Sequence, residues 1–215
     1  MTRKRTARSH EELGLLKAIQ EDPTNDAVRL VYADWLEEHG GLPRAEFVRG
    51  QVALAGMAED SPRRRELAFR CRRLLDKHEG RWAGSLSGDC PERHWSRGFM
   101  EVVGFDPQTL ERNREVAFRL TPTRRLILTG LDNKADALAL IPPDHRLDAL
   151  ELIDCQLDLR GLKALCAESA RFGKLAELSL MFNRLQDSSV EFLRQHAFFQ
   201  DLSLLRLACN PFTSG

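Results

Sequence analysis

Residues 147–157 read LDALELIDCQL, residues 175–185 read LAELSLMFNRL and residues 202–212 read LSLLRLACNPF. The three segments align without gaps on one pattern, LxxLxLxx followed by Asn or Cys and, two residues later, an apolar residue. They begin 28 and 27 residues apart. Since no segment of this size can bury its own leucines, the pattern predicts a stack in which successive segments share one core.

A period of about 20–29 residues with this pattern is typical of leucine-rich repeats, whose LxL positions form short strands of a parallel sheet. A shorter, degenerate copy begins at Thr123. Between the strands, apolar residues recur at helical spacing: Leu159, Leu162, Leu165 and Cys166, then Val190, Phe192 and Leu193. We therefore predict an α/β leucine-rich-repeat solenoid over residues 123–215. Because only eight residues follow Leu207, we expect the last strand to present an open edge.

The residues before the repeats carry the start and stop signals of helices. Helical periodicity begins at His10, and the apolar stripe of this first helix ends at Asp22-Pro23. A second helix is predicted from Asn25-Asp26 to Gly40, with an apolar stripe made of Ala27, Leu30, Val31 and Trp35. A third helix is predicted from Pro43 and a fourth from Pro62 to about Glu79. Residues 94–103 alternate as a strand does, and Asp106-Pro107 starts a further helix.

These elements predict an α+β fold class, in which a helical N-terminal module precedes the short solenoid with its parallel sheet. Four regions are expected. They are a flexible basic tail over residues 1–9, a helical domain over 10–90, a strand–helix adapter that caps the repeats over 91–122, and the leucine-rich repeats over 123–215.

The helical module also carries a family motif. Residues 22–40 read DPTNDAVRLVYADWLEEHG and residues 44–49 read RAEFVR. With Glu11-Glu-Leu13 upstream, these stretches resemble the bacterial repeat-companion domain, and HWSRGF at 94–99 and FRLTP at 118–122 are similar to its usual link into repeats. The resemblance implies a domain that accompanies repeats, here of the ribonuclease-inhibitor-like kind. It implies no catalytic residue.

Charge and cysteine content restrict the classes of function. Lys plus Arg and Asp plus Glu each number 32, which argues against a main task of neutralising nucleic-acid phosphates or anionic lipid. Five cysteines without a CxxC pair favour reduced thiols in a cytoplasmic protein. No apolar run is long enough to cross a membrane, so we expect no membrane association. We expect neither a cofactor nor a metal ion.

Two local clusters raise the question of catalysis or metal binding. Asp34, Glu37, Glu38 and His39 lie within two helical turns, but the same residues fit a hydrogen-bonded turn and a solvated helix end. Cys90 and His94 supply only half of a zinc site. The sequence therefore predicts a protein that is not an enzyme.

Repeat geometry predicts which side chains face outward on the concave side of the sheet. These side chains form three columns: Ile127, Glu151, Ser179 and Arg206; Arg125, Ala149, Glu177 and Leu204; Thr129, Ile153, Met181 and Ala208. Apolar residues in such columns are typical of an interface. We predict recognition of an unidentified protein partner through this face or the open edge, with the candidate binding residues Arg125, Ile127, Glu151, Ile153, Glu177, Ser179, Met181, Phe182, Leu204 and Arg206.

Several alternatives stay open on the sequence alone. Nucleic acid could bind the basic segment that contains Arg63, Arg64, Arg65, Arg70, Arg72 and Arg73. The chain could also be a regulatory subunit or a substrate of a neighbouring enzyme. The N-terminal helices or a second copy of the chain could cover the concave face, and a homodimer could form through the open end.

Overall fold

The computed structural model describes residues 9–143 and 145–213. This part of the chain has mixed α/β structure, with helices in its N-terminal part and a six-stranded, mostly parallel sheet. The basic tail predicted over residues 1–9 lies, apart from Ser9, outside the described residues. No described helix is both long and apolar enough to cross a membrane.

The chain divides into two compact units. The first, which we call the helical unit, comprises residues 9–84 together with 95–100 and 119–122. The second, the sheet unit, comprises residues 85–94, 101–118, 123–143 and 145–213. The residues of the predicted adapter, 91–122, are therefore shared between the two units.

The helical unit contains the four helices α1 (His10–Glu21), α2 (Asp26–Glu38), α3 (Leu42–Ala55) and α4 (Pro62–Ala83). Side chains cap the first two, because Ser9 Oγ accepts from the Glu12 N–H and Asn25 Oδ1 accepts from the Ala27 N–H. The predicted starts of α1 and α2 are therefore confirmed. The fourth helix continues to Ala83, beyond its predicted end at Glu79.

Of the residues predicted to form the buried side of α2, only Trp35 packs against the core. Ala27, Leu30 and Val31 are exposed, whereas Tyr32 and Ala33 are buried. Arg29 is also buried, with 0% of its surface exposed, and its guanidinium donates to the carbonyls of Pro23 and Arg97 at 2.7 and 3.1 Å. A count of apolar residues assigns arginine to solvent, but a guanidinium that is hydrogen-bonded to carbonyls can face the core.

The strand predicted over residues 94–103 is two strands joined by a turn. They are β1 (Arg93–Ser96) and β2 (Phe99–Phe105). The turn residues Arg97 and Gly98 both have positive φ, 45° and 86°, as a two-residue type I′ turn requires. A Cβ atom on Gly98 would lie 2.7 Å from a side-chain atom of Val48, so this position needs glycine for space as well as for φ.

The sheet has the strand order β1-β2-β3-β4-β5-β6. Its last four strands are β3 (Arg125–Thr129), β4 (Ala149–Ile153), β5 (Glu177–Ser179) and β6 (Leu204–Arg206), and each pairs in parallel with the strand before it. The connections contain α5 (Leu86–Asp89), α6 (Pro107–Glu115), α7 (Leu159–Ala167), α8 (Asp187–Gln195) and α9 (Ala197–Gln200). Shorter helical turns span Val116–Leu120, Asp136–Leu140 and Ser169–Phe172.

The repeated leucines pair with one another across the sheet. Leu126, Leu150 and Leu178 are consecutive partners, followed by Leu205 in β6. The first three have 0% of their surface exposed, and burial of a leucine side chain stabilises a fold by about 1.5–3 kcal/mol. Leu205 is only half-buried, because β6 is the edge strand of the described sheet.

Asn183 joins two successive segments where the chain leaves β5. It is 6% exposed, and its Oδ1 accepts from the N–H groups of Cys155 and Leu157, each at 3.0 Å. Its Nδ2 donates to the carbonyls of Leu152 and Met181 at 2.7 and 3.1 Å. This one amide therefore satisfies four backbone groups at the turn.

The residues equivalent to Asn183 in the neighbouring segments also form hydrogen bonds to the backbone of the turn. Asn210 accepts from the Leu185 N–H and donates to the carbonyls of Leu180 and Leu207. Cys155 occupies the position in the first segment, and its thiol donates to the Leu128 carbonyl. The predicted role of Asn or Cys as a hydrogen-bonding residue of the turn is thus confirmed.

Candidate protein-interaction surface

The side chains that alternate with the core leucines lie on the opposite face of the sheet, which we call the free face. Strand register aligns Arg125, Ala149, Glu177 and Leu204 in one row and Ile127, Glu151, Ser179 and Arg206 in the next. Thr129 pairs with Ile153 in a third. The structure therefore brings the predicted columns together on one surface.

Four charged side chains form a network across the free face. Arg125 bridges Glu151 and Glu177, with N–O distances of 2.6 and 2.8 Å. Arg206 approaches Glu177 from the other side at 3.4 Å. The hydrogen bond from Arg125 lowers the pKa of the Glu177 carboxyl, and Arg206 adds to this effect. Two cations and two anions pair within the network, so it adds no net charge to the face.

A small residue makes this network possible. Ala149 stands between Arg125 and Glu177 in their row and is 1% exposed. Since strands lie about 4.8 Å apart, the arginine must reach over β4, and a methyl group leaves room for it. The sequence predicted that Arg125, Ala149 and Glu177 share a column. It did not predict the ion pair between Arg125 and Glu177, which crosses the intervening strand β4. An alanine between opposite charges in one row was its only sequence signal.

Not every candidate is accessible. Ser179 is 1% exposed, below the longer side chains of its row, so it cannot make a wide contact with a partner. Its buried Oγ has no hydrogen-bond partner among the described residues. Glu151, Glu177 and Arg206 remain partly exposed, and Leu204 is 37% exposed. Contact with a partner would therefore fall on these longer side chains.

Next to the charged network, apolar side chains lie at the end of β4 and in the turn that follows β5. Ile153 and Met181 are half-buried, and Phe182 is 52% exposed. Phe182 has φ of +57°. Left-handed backbone is unfavourable for a bulky residue by about 1–2 kcal/mol, so this phenyl ring is displayed on a strained turn.

The residues that are equivalent to Phe182 in the other segments show which backbone conformation the turn requires. They have φ of +65° at Gly130, +50° at Asp154 and +60° at Cys209. Glycine and aspartate tolerate this conformation. Phe182 is thus the one large apolar residue among the four equivalent positions, all of which are described. Folding of the turn does not explain its presence.

No protein-family model, curated protein or solved structure matches this chain. The assignment of the free face therefore depends on the geometry of the described residues.

Two acids of the α2 cluster, Asp34 and Glu37, form ion pairs within the helical unit. Arg49 contacts both Asp34 and Glu37 at 2.6 Å. His39 stacks on Trp35 with ring centroids 4.2 Å apart, and its Nδ1 lies 2.8 Å from the Trp35 carbonyl. This arrangement fixes the α2–α3 turn.

Cys90 and His94, which supplied half of a zinc-site pattern in the sequence, differ in exposure and in their hydrogen bonds. Cys90 is fully buried, its Sγ donates to the Glu92 carbonyl and accepts from the Gly104 N–H, and burial raises the pKa of the thiol. His94 is exposed. Over residues 9–143 and 145–213, no group of three or more His, Cys, Asp or Glu side chains is placed to hold a metal ion.

The sheet unit also has an open cleft of about 540 Å³ beside the start of α6. Its lining includes Asp106, Thr109, Arg112, Lys134 and Asp136. Asp106 caps α6 by accepting from the Thr109 N–H and hydroxyl, and these hydrogen bonds lower the pKa of its carboxyl. The carboxylate is therefore used for the fold.

The arginines of the basic segment all lie on α4, but they differ in their partners. Arg64 donates to the carbonyls of Leu54 and Met57, Arg70 pairs with Glu46, and Arg72 pairs with Asp76. Arg63, Arg65 and Arg73 point to solvent without an ion pair among the described residues. Sequence reasoning missed Phe69, which is 67% exposed on the same helix.

Proposed function

We propose that this chain is a non-enzymatic protein-recognition module, built from a repeat-companion-like helical domain and a leucine-rich-repeat solenoid whose concave side is the free face. Three gap-free segments, the pairing of their leucines and the repeated Asn or Cys at the turn support the solenoid. The motif at residues 22–40 supports the companion domain.

Phe182 carries the functional part of the proposal. A half-exposed phenyl ring on left-handed backbone lowers the stability of the fold, while Gly130 and Asp154 show that the same turn forms without it. Strained, exposed residues of this kind are concentrated at binding sites. Aromatic residues are also frequent among the few side chains that contribute most to protein–protein affinity.

The charge of the free face favours a protein over a polyanion. Arg125, Glu151, Glu177 and Arg206 neutralise one another, so the network offers hydrogen bonds without a strong field. Beside it, Ile153, Met181 and Phe182 supply an apolar anchor. A polypeptide segment with one or two apolar side chains and polar flanks fits this combination.

Photo-crosslinking tests the location of the site. A benzophenone side chain is introduced in place of Phe182 and, as a matched control, in place of Val190, which is 41% exposed on α8. In cells that produce the protein, we expect discrete crosslinked species from position 182 that position 190 does not give. The same species from both positions, or none from position 182, would contradict the proposal.

A further inference from the structure

The solvent-exposed half of α4 carries side chains spaced four residues apart, in a row that winds about 160° around the helix: Arg65, Phe69, Arg73, Lys77 and Arg81. We call this the basic row. Residues four apart are neighbours on a helix, with an axial rise of about 6 Å for each step, so the row is about 24 Å long. The opposite side of the helix packs into the helical unit through Cys71, which is 3% exposed.

The cations of the basic row are available to a ligand. Within the described residues, the side chains of Arg65, Arg73, Lys77 and Arg81 make neither an ion pair nor a hydrogen bond, unlike those of Arg64, Arg70 and Arg72. The helix contains eight basic and three acidic side chains, in a chain whose formal net charge is zero. Among the described helices, α4 thus carries the largest excess of positive charge.

Phe69 stands in the middle of the row, between Arg65 and Arg73. At 67% exposed, it exceeds every other exposed large hydrophobic residue of the described chain. A solvated helix face gains nothing from such a side chain. An exposed aromatic ring flanked by cations is the combination with which proteins stack an unpaired base and contact its phosphates.

We propose that the basic row binds single-stranded nucleic acid, separately from protein recognition by the free face. Phe69 stacks on an unpaired base, and Arg65, Arg73, Lys77 and Arg81 contact phosphates. A duplex is disfavoured, because its bases are already stacked on one another. A membrane surface is also disfavoured, since an interfacial helix buries an apolar stripe and this row has a single apolar side chain.

Fluorescence anisotropy of the full chain with labelled single-stranded DNA and RNA, at several salt concentrations, measures this binding. Four phosphate contacts predict a slope of log K against log salt of about −3, or about −0.7 for each contact. The double substitution Arg73→Gln and Lys77→Gln removes two of these contacts, so the slope of log K against log salt should become shallower by about 1.4. The control, Arg70→Gln and Arg72→Gln, removes the same charge from paired arginines and should leave the slope unchanged. Phe69→Ala should weaken binding roughly tenfold with the slope preserved.

Four results would each overturn the proposal. They are no salt-dependent binding at protein concentrations up to about 100 μM, equal slope changes for the two double variants, tighter binding to duplex than to single strands, and equally tight binding to phosphatidylserine vesicles or polyglutamate. All substituted side chains are exposed, so the variants should fold, which far-UV circular dichroism checks. If a double variant unfolds, Lys77→Gln alone should still reduce the steepness by about 0.7.

Discussion

Replacement of Asn183 by alanine tests how successive segments are held together. The substitution removes an amide that is 6% exposed and leaves four backbone groups without their side-chain partner. Two of these are the N–H groups of Cys155 and Leu157, which lie inside the turn beside β4. Water cannot replace the lost acceptor there without opening the stack.

The magnitude follows from those two donors. An unsatisfied buried hydrogen-bonding group costs about 1–3 kcal/mol, so Asn183→Ala should lower the free energy of unfolding by about 4 kcal/mol. That is a large share of the roughly 5–15 kcal/mol typical of a domain. Asn210 is half-buried at the last strand and accepts from a single N–H group, that of Leu185. Since water can reach the Leu185 N–H once the side chain is removed, Asn210→Ala should lower the free energy of unfolding by only about 1 kcal/mol.

Urea unfolding followed by far-UV circular dichroism gives the two free energies. The three tryptophans, Trp35, Trp82 and Trp95, all lie in the helical unit, so their fluorescence shows whether that unit unfolds separately. Hydrogen exchange at Cys155 and Leu157 locates the effect and should accelerate in Asn183→Ala only. The reasoning is refuted if Asn183→Ala costs no more than Asn210→Ala, or if these two amides stay protected.

Two further predictions concern electrostatics. Hydrogen bonds from Arg125 and Thr109 lower the folded-state pKa values of Glu177 and Asp106, so their contribution is present above the unfolded-state values of about 4 and is lost as pH falls through the folded-state values. Urea unfolding between about pH 3 and pH 7 should show a loss below about pH 4 that is smaller in Glu177→Gln, and equal acid sensitivity of that variant would exclude the contribution. Arg29→Ala leaves the Pro23 and Arg97 carbonyls without their donor in a buried site and should lower the free energy of unfolding by about 1–3 kcal/mol for each carbonyl, whereas Arg49→Ala, at an exposed pair, should lower it by less than about 1 kcal/mol. Tryptophan fluorescence in urea compares the two, and similar losses would mean that the buried guanidinium is not a main support of the helical unit.

The sheet could be predicted from sequence because its signal is periodic. Leucine spacing specifies which residues are inward, and the equal lengths of the segments specify the register, so the rows containing Arg125 and Ile127 follow directly. The Arg97-Gly98 turn was missed, because a loose alternation of apolar residues continues across it. Glycine at position 98 was the only sign of a hairpin.

Side-chain partners were harder to predict than backbone elements. Arg29 reverses the expected face of α2, since hydrogen bonds to two carbonyls allow a charged group to be buried. Lys77 and Arg81 complete the basic row, but Arg81 lies beyond the predicted end of the fourth helix. The strain at Phe182 was hidden because a sequence does not show φ. The strain becomes apparent only when the φ of Phe182 is compared with those of Gly130, Asp154 and Cys209, which occupy the same position of the turn.

The Phe182→Asn variant, measured for both stability and binding, tests the central claim most directly. Asparagine tolerates left-handed backbone, so the free energy of unfolding should be unchanged or higher by about 1 kcal/mol. Loss of an aromatic anchor should weaken recovery of the proteins crosslinked from position 182 by roughly tenfold or more. The matched variant Val190→Gln should leave that recovery unchanged. A less stable Phe182→Asn protein, or one that still recovers those proteins as well as the wild type, would contradict the account.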